Sequence, residues 1–530
     1  MKKKRILMCA EAHDINSGFG RYTKEILQRL YNNPNYEIAE FSSYFNYGKT
    51  KTVPWKVYAN AVDDSHPEAE NYKRNPLNQF GLWRFDKVVS HFKPDIVFDI
   101  RDYWMFAYQE MSAFRKYFHW VIAPTVDSIP QKTEWLKTFE NADVVLTHTD
   151  WAGDYLRSLN RKINIGGCVS DSVDPDTFKP VNWTKNFHKA RYNLPSNSFI
   201  IGSVMRNQKR KLIAELFSSL KKLLSISNNK NIFLYLHTSF PEPAGWDIPQ
   251  LLQEYGVYNN VLFTYYSPQS KNILVSPFKG AIFANDKNET YIFPNVVNGV
   301  NNDQLCEIYN LFDIYVQYAI CEGLGIPQLE AAACGIPLFS VNYSGMEEIT
   351  SKVDGVKLRY LLSKELETGS DRATPDNDHL IAEILKWMDK STLEKKKISK
   401  RTRELLVDNY SWDITANNLM KVFDSLEPKN IWHEPLQFNT SLSAPISLPN
   451  RSFINFVIDN ILMEPKLKNT HFAQSIIKNL DESCFGLSQD LVIKKRQEAL
   501  KPLEMYMNSK MSCEQIRSGQ TILSDDFLSQ

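Results

Sequence analysis

Two acids, Glu322 and Glu330, flank a Gly-x-Gly and a proline in the stretch CEGLGIPQLEAAACGIP, residues 321 to 337. Proline suits the first position of a helix, so the spacing predicts a helix from Pro327, with Glu322 in the preceding loop and Glu330 in the first turn. Gly335 and Pro337 end it after about two turns. A first turn carries unpaired N–H groups and a partial positive charge, which favour a carboxylate or a bound phosphate. Taken alone, Glu330 reads first as an acid that only complements the helix dipole. A second candidate is SGFGRYTKEIL, residues 17 to 27, where Gly18, Phe19 and Gly20 stand between a strand and a helix. Missing side chains there let backbone N–H groups approach a phosphate, or simply make a turn. Thr23 occupies the place of the third glycine of a dinucleotide fingerprint and no G-K-[ST] follows, which weakens both dehydrogenase and P-loop readings. No His, Cys or acid cluster has the spacing of a structural metal site.

These residues need elements to hold them. Short runs rich in Val, Ile and Phe alternate with segments of helical period, the pattern of parallel sheets covered by helices. Strands are expected at 5–10, 95–100, 120–126 and 143–148, and in a second series at 199–206, 231–238, 260–266, 313–319 and 337–342. Helices are expected where Tyr22, Ile26, Leu27 and Leu30 share a stripe, and where Leu212, Ile213, Leu216, Phe217, Leu220 and Leu224 do. The polar stretch at 175–198 separates two α/β lobes. Residues 267–294 interrupt the second lobe as a long irregular piece, read as a functional excursion or flap. From about residue 430 the rhythm gives way to helical segments such as RSFINFVIDNILM and QDLVIKKRQEALKPLEMYM.

The totals set limits. A chain of 530 residues exceeds one hydrophobic core, and roughly three domains of about 150 residues fit it. With 43% hydrophobic and 23% charged residues the chain is expected to fold. Lys+Arg of 62 against Asp+Glu of 61 give no global attraction to nucleic acid or anionic lipid, so any polyanion site is local. The basic runs KKKR (2–5) and KKKISKR (395–401) read as solvated faces. Cys9, Cys168, Cys306, Cys321, Cys334, Cys484 and Cys513 are odd in number and form no C-x-x-C pair, which fits reduced thiols. Only five apolar residues follow the basic start before Glu11, too few for a signal-peptide core. No apolar run reaches the ~18 residues of a membrane span. The expected location is the cytoplasm, with peripheral contact on the inner face of a membrane left open.

The pattern E-G-x-G-x-P-x-x-E-A-x-A-x-G-x-P resembles the paired-glutamate motif of retaining glycosyltransferases with the GT-B fold, in particular family 4 within glycosyl transferases group 1. Further segments match in order: SGFGRYTKEIL resembles the N-terminal glycine loop, ADVVLTHTDWAGDYLRSL (142–159) the last strand and helix of the acceptor lobe, and SDSVDPDTFKP (170–180) the lobe junction. MRNQKRK (205–211) is similar to the diphosphate-binding R-x4-K, YSGMEEI with DGVKLR (343–358) to the segment after the motif, and SWDITANNLMKVFDSL (411–426) to the helix that crosses back. The resemblance implies a fold of two Rossmann-like domains facing across a cleft. Their limits would be 1–180 for the acceptor side and 181–410 for the nucleotide-sugar side, followed by a crossover helix at 411–428 and a helical extension at 429–530. It implies that Arg206 and Lys211, with Asn207 beside them, meet a diphosphate at a strand's C-terminal edge, so that no divalent ion and no cofactor is required. Glu330 would accept hydrogen bonds from two ribose hydroxyls, Glu322 would face the sugar, and backbone N–H groups near Leu324 and Gly325 would touch phosphate, as would the Gly18–Gly20 loop.

One departure matters. Many members carry a histidine after the P-D-x-V strand, where this chain reads PDIVFDIRDYW, with Phe98 and Ile100 in those places. Asp99, Arg101, Asp102 and Asp127 become candidates for the reacting hydroxyl, Asp102 and Asp127 first. His148 and His237 read as structural histidines. In the first lobe YFNYGKTKTVPWKVYAN (44–60) alternates aromatics with lysines, as a loop that stacks on sugars or bases, dips into a membrane, or anchors itself. The expected activity is retaining transfer of a hexosyl or pentosyl group from a UDP- or GDP-linked sugar to an acceptor glycan, lipid-linked glycan or small glycoside. The alternatives are transfer to modified bases of phage DNA, a non-catalytic nucleotide-sugar binder, and a related epimerase or phosphorylase.

Overall fold

The computed structural model describes residues 3–429 except 16, 47–52, 113, 183–184 and 296. The helical extension expected after 429, with Cys484 and Cys513, lies outside the described residues.

The first lobe is a seven-stranded sheet: β1 (Lys4–Glu11), β2 (Tyr36–Asn46), β3 (Lys56–Ala61), β4 (Ile96–Asp99), β5 (His119–Ile122), β6 (Val144–Thr147) and β7 (Ile165–Cys168), in spatial order β3-β2-β1-β4-β5-β6-β7. Every pairing in it is parallel. The second sheet has nine strands: β8 (Phe199–Val204), β9 (Ile232–His237), β10 (Val261–Tyr266), β11 (Ile273–Ser276), β12 (Ile282–Ala284), β13 (Thr290–Ile292), β14 (Ile314–Gln317), β15 (Leu338–Val341) and β16 (Val356–Leu358). It runs β12-β13-β10-β9-β8-β14-β15-β16, with β11 on β10. All nine expected strands form, β1 one residue longer at each end and the other eight shorter overall than expected.

Apolar runs such as Ile6–Ala10 are buried on both faces, as parallel sheets require when helices cover both sides. Strand order reverses at β1, which lies between β2 and β4, and at β8, which lies between β9 and β14. Loops leaving the C-terminal ends of such switch strands form the ligand crevice of open α/β sheets. The glycine loop follows β1 and MRNQKRK follows β8.

Two expectations change. The aromatic and lysine stretch is no loop over its described part: it ends β2 and makes the edge strand β3, with Phe45, Trp55 and Tyr58 in the core. Buried Glu40 of β2 explains it, because Trp55 Nε1 donates to its carboxylate at 2.8 Å and His13 Nδ1 lies 2.9 Å away. Apolar burial with satisfied polar partners outweighs the exposure that the lysines suggested. Residues 267–294 form antiparallel strands sewn onto β10 rather than a free flap, anchored where Phe278 and Phe293 meet Phe263.

Helix Trp412–Ser425 returns to the first sheet and buries Trp412, Ala416, Leu419 and Phe423 in its core. The Phe423 ring lies 5.6 Å from that of Phe98 on β4. Phe423→Ala should cost about 3–5 kcal/mol of first-lobe stability in denaturant titration; a loss below ~1 kcal/mol would show that this helix does not complete the core.

Candidate functional site

The second-lobe half is built on β14, its loop and helix Ile326–Ala333. Pro327 stands in the first turn, as expected, but the helix starts one residue earlier, so Glu330 sits a turn inside. Gly325 precedes it at φ +102, a left-handed conformation that side chains other than glycine resist. Glu322 in the loop is 6% exposed. Its backbone is fixed from both sides: its N–H donates to Ser344 Oγ at 3.0 Å and its carbonyl accepts from Gly345 N–H at 3.1 Å.

Its carboxylate is the centre of a charge cluster. Arg210 Nη1 donates to Oε2 at 2.8 Å, Gln317 Nε2 to Oε1 at 3.1 Å, and Lys211 Nζ also bonds Oε1. Burial alone would push the Glu322 carboxyl up; Lys211 and Arg210 together hold it below the usual carboxylate range. Burial pulls the Lys211 ammonium down, because Glu322 offsets only part of the desolvation and Arg210 repels it.

This differs from the expected R-x4-K in one position. Arg206 is 61% exposed and faces Glu242, while Arg210, a residue not singled out in the sequence, reaches Glu322. The physical reason is the turn Lys209–Lys211, a short 3-10 segment ending at Leu212 with φ 49, which folds Arg210 and Lys211 back under the loop. Asn207 is also turned away: its amide bonds the Trp246 backbone at 2.8 and 3.0 Å and braces that loop.

Glu330 is 3% exposed. Tyr309 Oη donates to its Oε2 at 2.7 Å, and Arg21 of the first lobe pairs with Oε1 across the cleft. Glu330 therefore balances a cation from the opposite lobe rather than its own helix dipole.

The expected glycine loop is instead the first turn of helix Gly18–Tyr31, because Ser17 caps the helix immediately before Gly18, and this turn packs against helix Ile326–Ala333. A side chain at Gly18 would come within 3.1 Å of Ile326 Cδ1. Gly20 serves the turn itself: an added Cβ would stand 2.4 Å from the Ile15 carbonyl, and its N–H is taken by the helix-capping Ser17 Oγ at 3.0 Å. Phe19 is half-buried, its carbonyl accepting from Thr23 Oγ1 at 2.8 Å. Leu324 is buried in the loop facing them.

Of the acceptor-side acids, Asp99 and Arg101 form a fully buried pair that also takes Gln109, and both are spent on structure. Asp102 and Asp127 do reach the cleft. Burial raises the Asp102 carboxyl, Thr125 hydrogen-bonds it and the neighbouring Asp127 charge raises it further. Asp127 meets the second lobe, with Cys321 Sγ at 3.1 Å and Arg372 Nη1 at 3.4 Å. Thr125 would contact any side chain added at Gly323, at 2.5 Å. His148 faces Asp171 at 3.1 Å, and His237 is held neutral, pulled down to about 4 by burial beside Thr264. Arg21, Arg210 and Tyr309 are the residues that sequence reasoning missed. Arg21 sits inside the quoted glycine-loop segment and Arg210 inside KRK, but neither fits a motif position.

Among the described residues no group of three or more His, Cys, Asp or Glu could hold a metal ion, and no helix is long and apolar enough to cross a membrane.

Residues 294–405 match the family model described as glycosyl transferases group 1. No curated protein sequence matches the chain. Among solved structures, the fold is similar to sucrose-phosphate synthase from Thermosynechococcus elongatus, at 15% identity and TM-score 0.58, covering 80% of this chain and 99% of that one. It is also similar to a glycosyltransferase from Rickettsia africae ESF-5, at 15% identity and TM-score 0.55, covering 80% and 99%. Anabaena Alr3699/HepE, solved with UDP and glucose, matches at 13% identity and TM-score 0.56, covering 80% and 100%. The matched span contains both glutamates and their helix, and the chain has the GT-B fold.

Proposed function

We propose that the chain is a retaining, metal-independent glycosyltransferase that moves a sugar from a nucleotide diphosphate to an acceptor hydroxyl in glycan or glycoconjugate synthesis. The observation that carries this reading is the convergence of Arg210, Lys211 and Glu322 beneath a loop and helix start at the C-terminal edge of β8 and β14. Breaking the bond between an anomeric carbon and a diphosphate leaves negative charge on phosphate and positive charge on the sugar. Two fixed cations next to a buried carboxylate offset both charges at once.

Donor entry exchanges partners. The diphosphate takes Arg210 and Lys211, which frees Glu322 to face the sugar, and helix-start N–H groups near Leu324 and Gly325 add to the phosphate contact. The ribose hydroxyls take the Glu330 carboxylate in place of Arg21. Asp102 and Asp127 line the opposite wall, toward the acceptor. HepE crystals with UDP-glucose support a nucleotide sugar as donor. Burial of Phe45, Trp55 and Tyr58 takes three of the stretch's aromatics away from base stacking, which favours a glycan or glycoside acceptor over DNA.

Glu330→Ala should raise the donor dissociation constant more than tenfold, above about 1.4 kcal/mol, in titration calorimetry; unchanged nucleotide affinity would contradict the ribose role. Lys211→Ala and Arg210→Ala should each lower turnover at saturating donor by about 10²-fold or more, and Arg206→Ala by less than either. Equal losses in Arg206→Ala and Arg210→Ala would restore the R-x4-K assignment. Activity should survive an excess of chelator, measured as nucleotide release from a panel of nucleotide sugars, and a strict requirement for added divalent ion would reject compensation by Arg and Lys.

A further inference from the structure

Cys306 lies in helix Asn302–Tyr309, and Cys334 closes the C-terminal end of helix Ile326–Ala333. Their sulfurs are 3.8 Å apart, although 27 intervening residues separate them in the chain. Both are buried, at 6% and 3% exposure. Asn310 Nδ2 lies 3.5 Å from Cys306 Sγ, which in turn lies 3.4 Å from the Lys179 carbonyl. The other free cysteines among the described residues face oxygen or nitrogen partners: Cys9 meets Gln109, Cys168 meets Ser170, and Cys321 meets Asp127 and Arg372.

The same two helices carry the donor-side acid. Tyr309, one turn beyond Cys306, donates to Glu330 Oε2 at 2.7 Å, and the Cys334 N–H donates to the Glu330 carbonyl at 3.1 Å. The contact between the helices therefore has two rungs, Tyr309 to Glu330 and Cys306 to Cys334. Moving one rung moves the other.

We propose that Cys306 and Cys334 form an oxidisable dithiol whose closure to a disulfide weakens the nucleotide seat at Glu330. A disulfide holds its sulfurs about 2.05 Å apart, so closure draws the lower rung in by more than 1 Å from its 3.8 Å separation and shifts Tyr309 against Glu330. A peroxide is a sufficient oxidant. The Cys306 thiolate attacks one peroxide oxygen, the O–O bond breaks, and a sulfenic acid forms as hydroxide leaves and is protonated to water. Cys334 then attacks the sulfenyl sulfur, the S–S bond forms, and the S–O bond breaks to release a second water. Two thiols are oxidised and one peroxide is reduced. The order follows from the local chemistry: the hydrogen bond from the Cys334 thiol brings Cys306 down to about 7, whereas burial pushes Cys334 up.

The effect on nucleotide binding rests on the donor reading of Glu330; the disulfide itself does not. The full-length chain is treated with excess hydrogen peroxide, quenched, alkylated and mapped without reduction. The expected product is a linked peptide pair carrying Cys306 and Cys334, two hydrogens lighter than the free pair and lost on adding dithiothreitol. UDP and GDP titrations should show affinity about fivefold or more weaker after oxidation, recovered on reduction and insensitive to peroxide in Cys306→Ser and Cys334→Ser. Mapping wild type keeps the test open even if a serine variant folds poorly. Free or singly over-oxidised Cys306 and Cys334 after that treatment overturn the dithiol. A bridge that forms without changing affinity overturns its coupling to the seat. If reduced wild type binds neither nucleotide, the donor reading falls while the mapping still decides the disulfide.

Discussion

A buried carboxylate between two cations governs this site. Glu322 and Lys211 are drawn out of water together beside a half-buried Arg210, and either would be costly to bury alone. The cluster exists because three separate backbone features meet: a loop pinned by Ser344 and Gly345, a 3-10 turn closing β8, and adjacent parallel strands β8 and β14. The cations are held in place before any ligand arrives. Under the proposed reaction, a diphosphate that displaced Glu322 would meet a buried Lys211 and a half-buried Arg210, and the released carboxylate would stand beside the atom where positive charge develops.

The cleft repeats the same logic between lobes. Glu330 is satisfied by Tyr309 from its own lobe and Arg21 from the other, and Asp127 by Cys321 and Arg372 from the opposite lobe. Such cross-lobe pairs join the two lobes through groups that the proposed reaction assigns to substrate. Closure and binding thus compete for the same charges, and a ligand offering equivalent partners can replace the contact without leaving a buried charge unpaired.

Much of this was readable in the residues. The apolar runs located nine parallel strands, since a sheet covered on both faces leaves a continuous signal. The paired glutamates and the glycine loop were located by spacing, because helix starts demand proline and glycine at fixed offsets. The edge strand β3 was hidden: its stabilisation comes from Trp55 reaching Glu40, a contact between β2 and the turn before β3 that no period reveals. Arg210 was hidden for a similar reason. In a short turn with three consecutive cations, only the backbone path decides which side chain faces inward, and the motif position Arg206 faces Glu242 instead. Arg21 and Tyr309 act on Glu330 from other elements, so their roles depend on packing and not on local pattern. Cys306 and Cys334 likewise look scattered in the chain and are neighbours in space.

The central claim is that phosphate replaces Glu322 on Lys211 and Arg210. Its most direct test is a crystal structure of the chain with a nucleoside diphosphate bound. The account predicts phosphate oxygens within hydrogen-bond distance of Arg210 and Lys211, with the Glu322 carboxylate released from at least one of them. A diphosphate bound elsewhere, with the Glu322, Lys211 and Arg210 cluster intact beneath it, would contradict it.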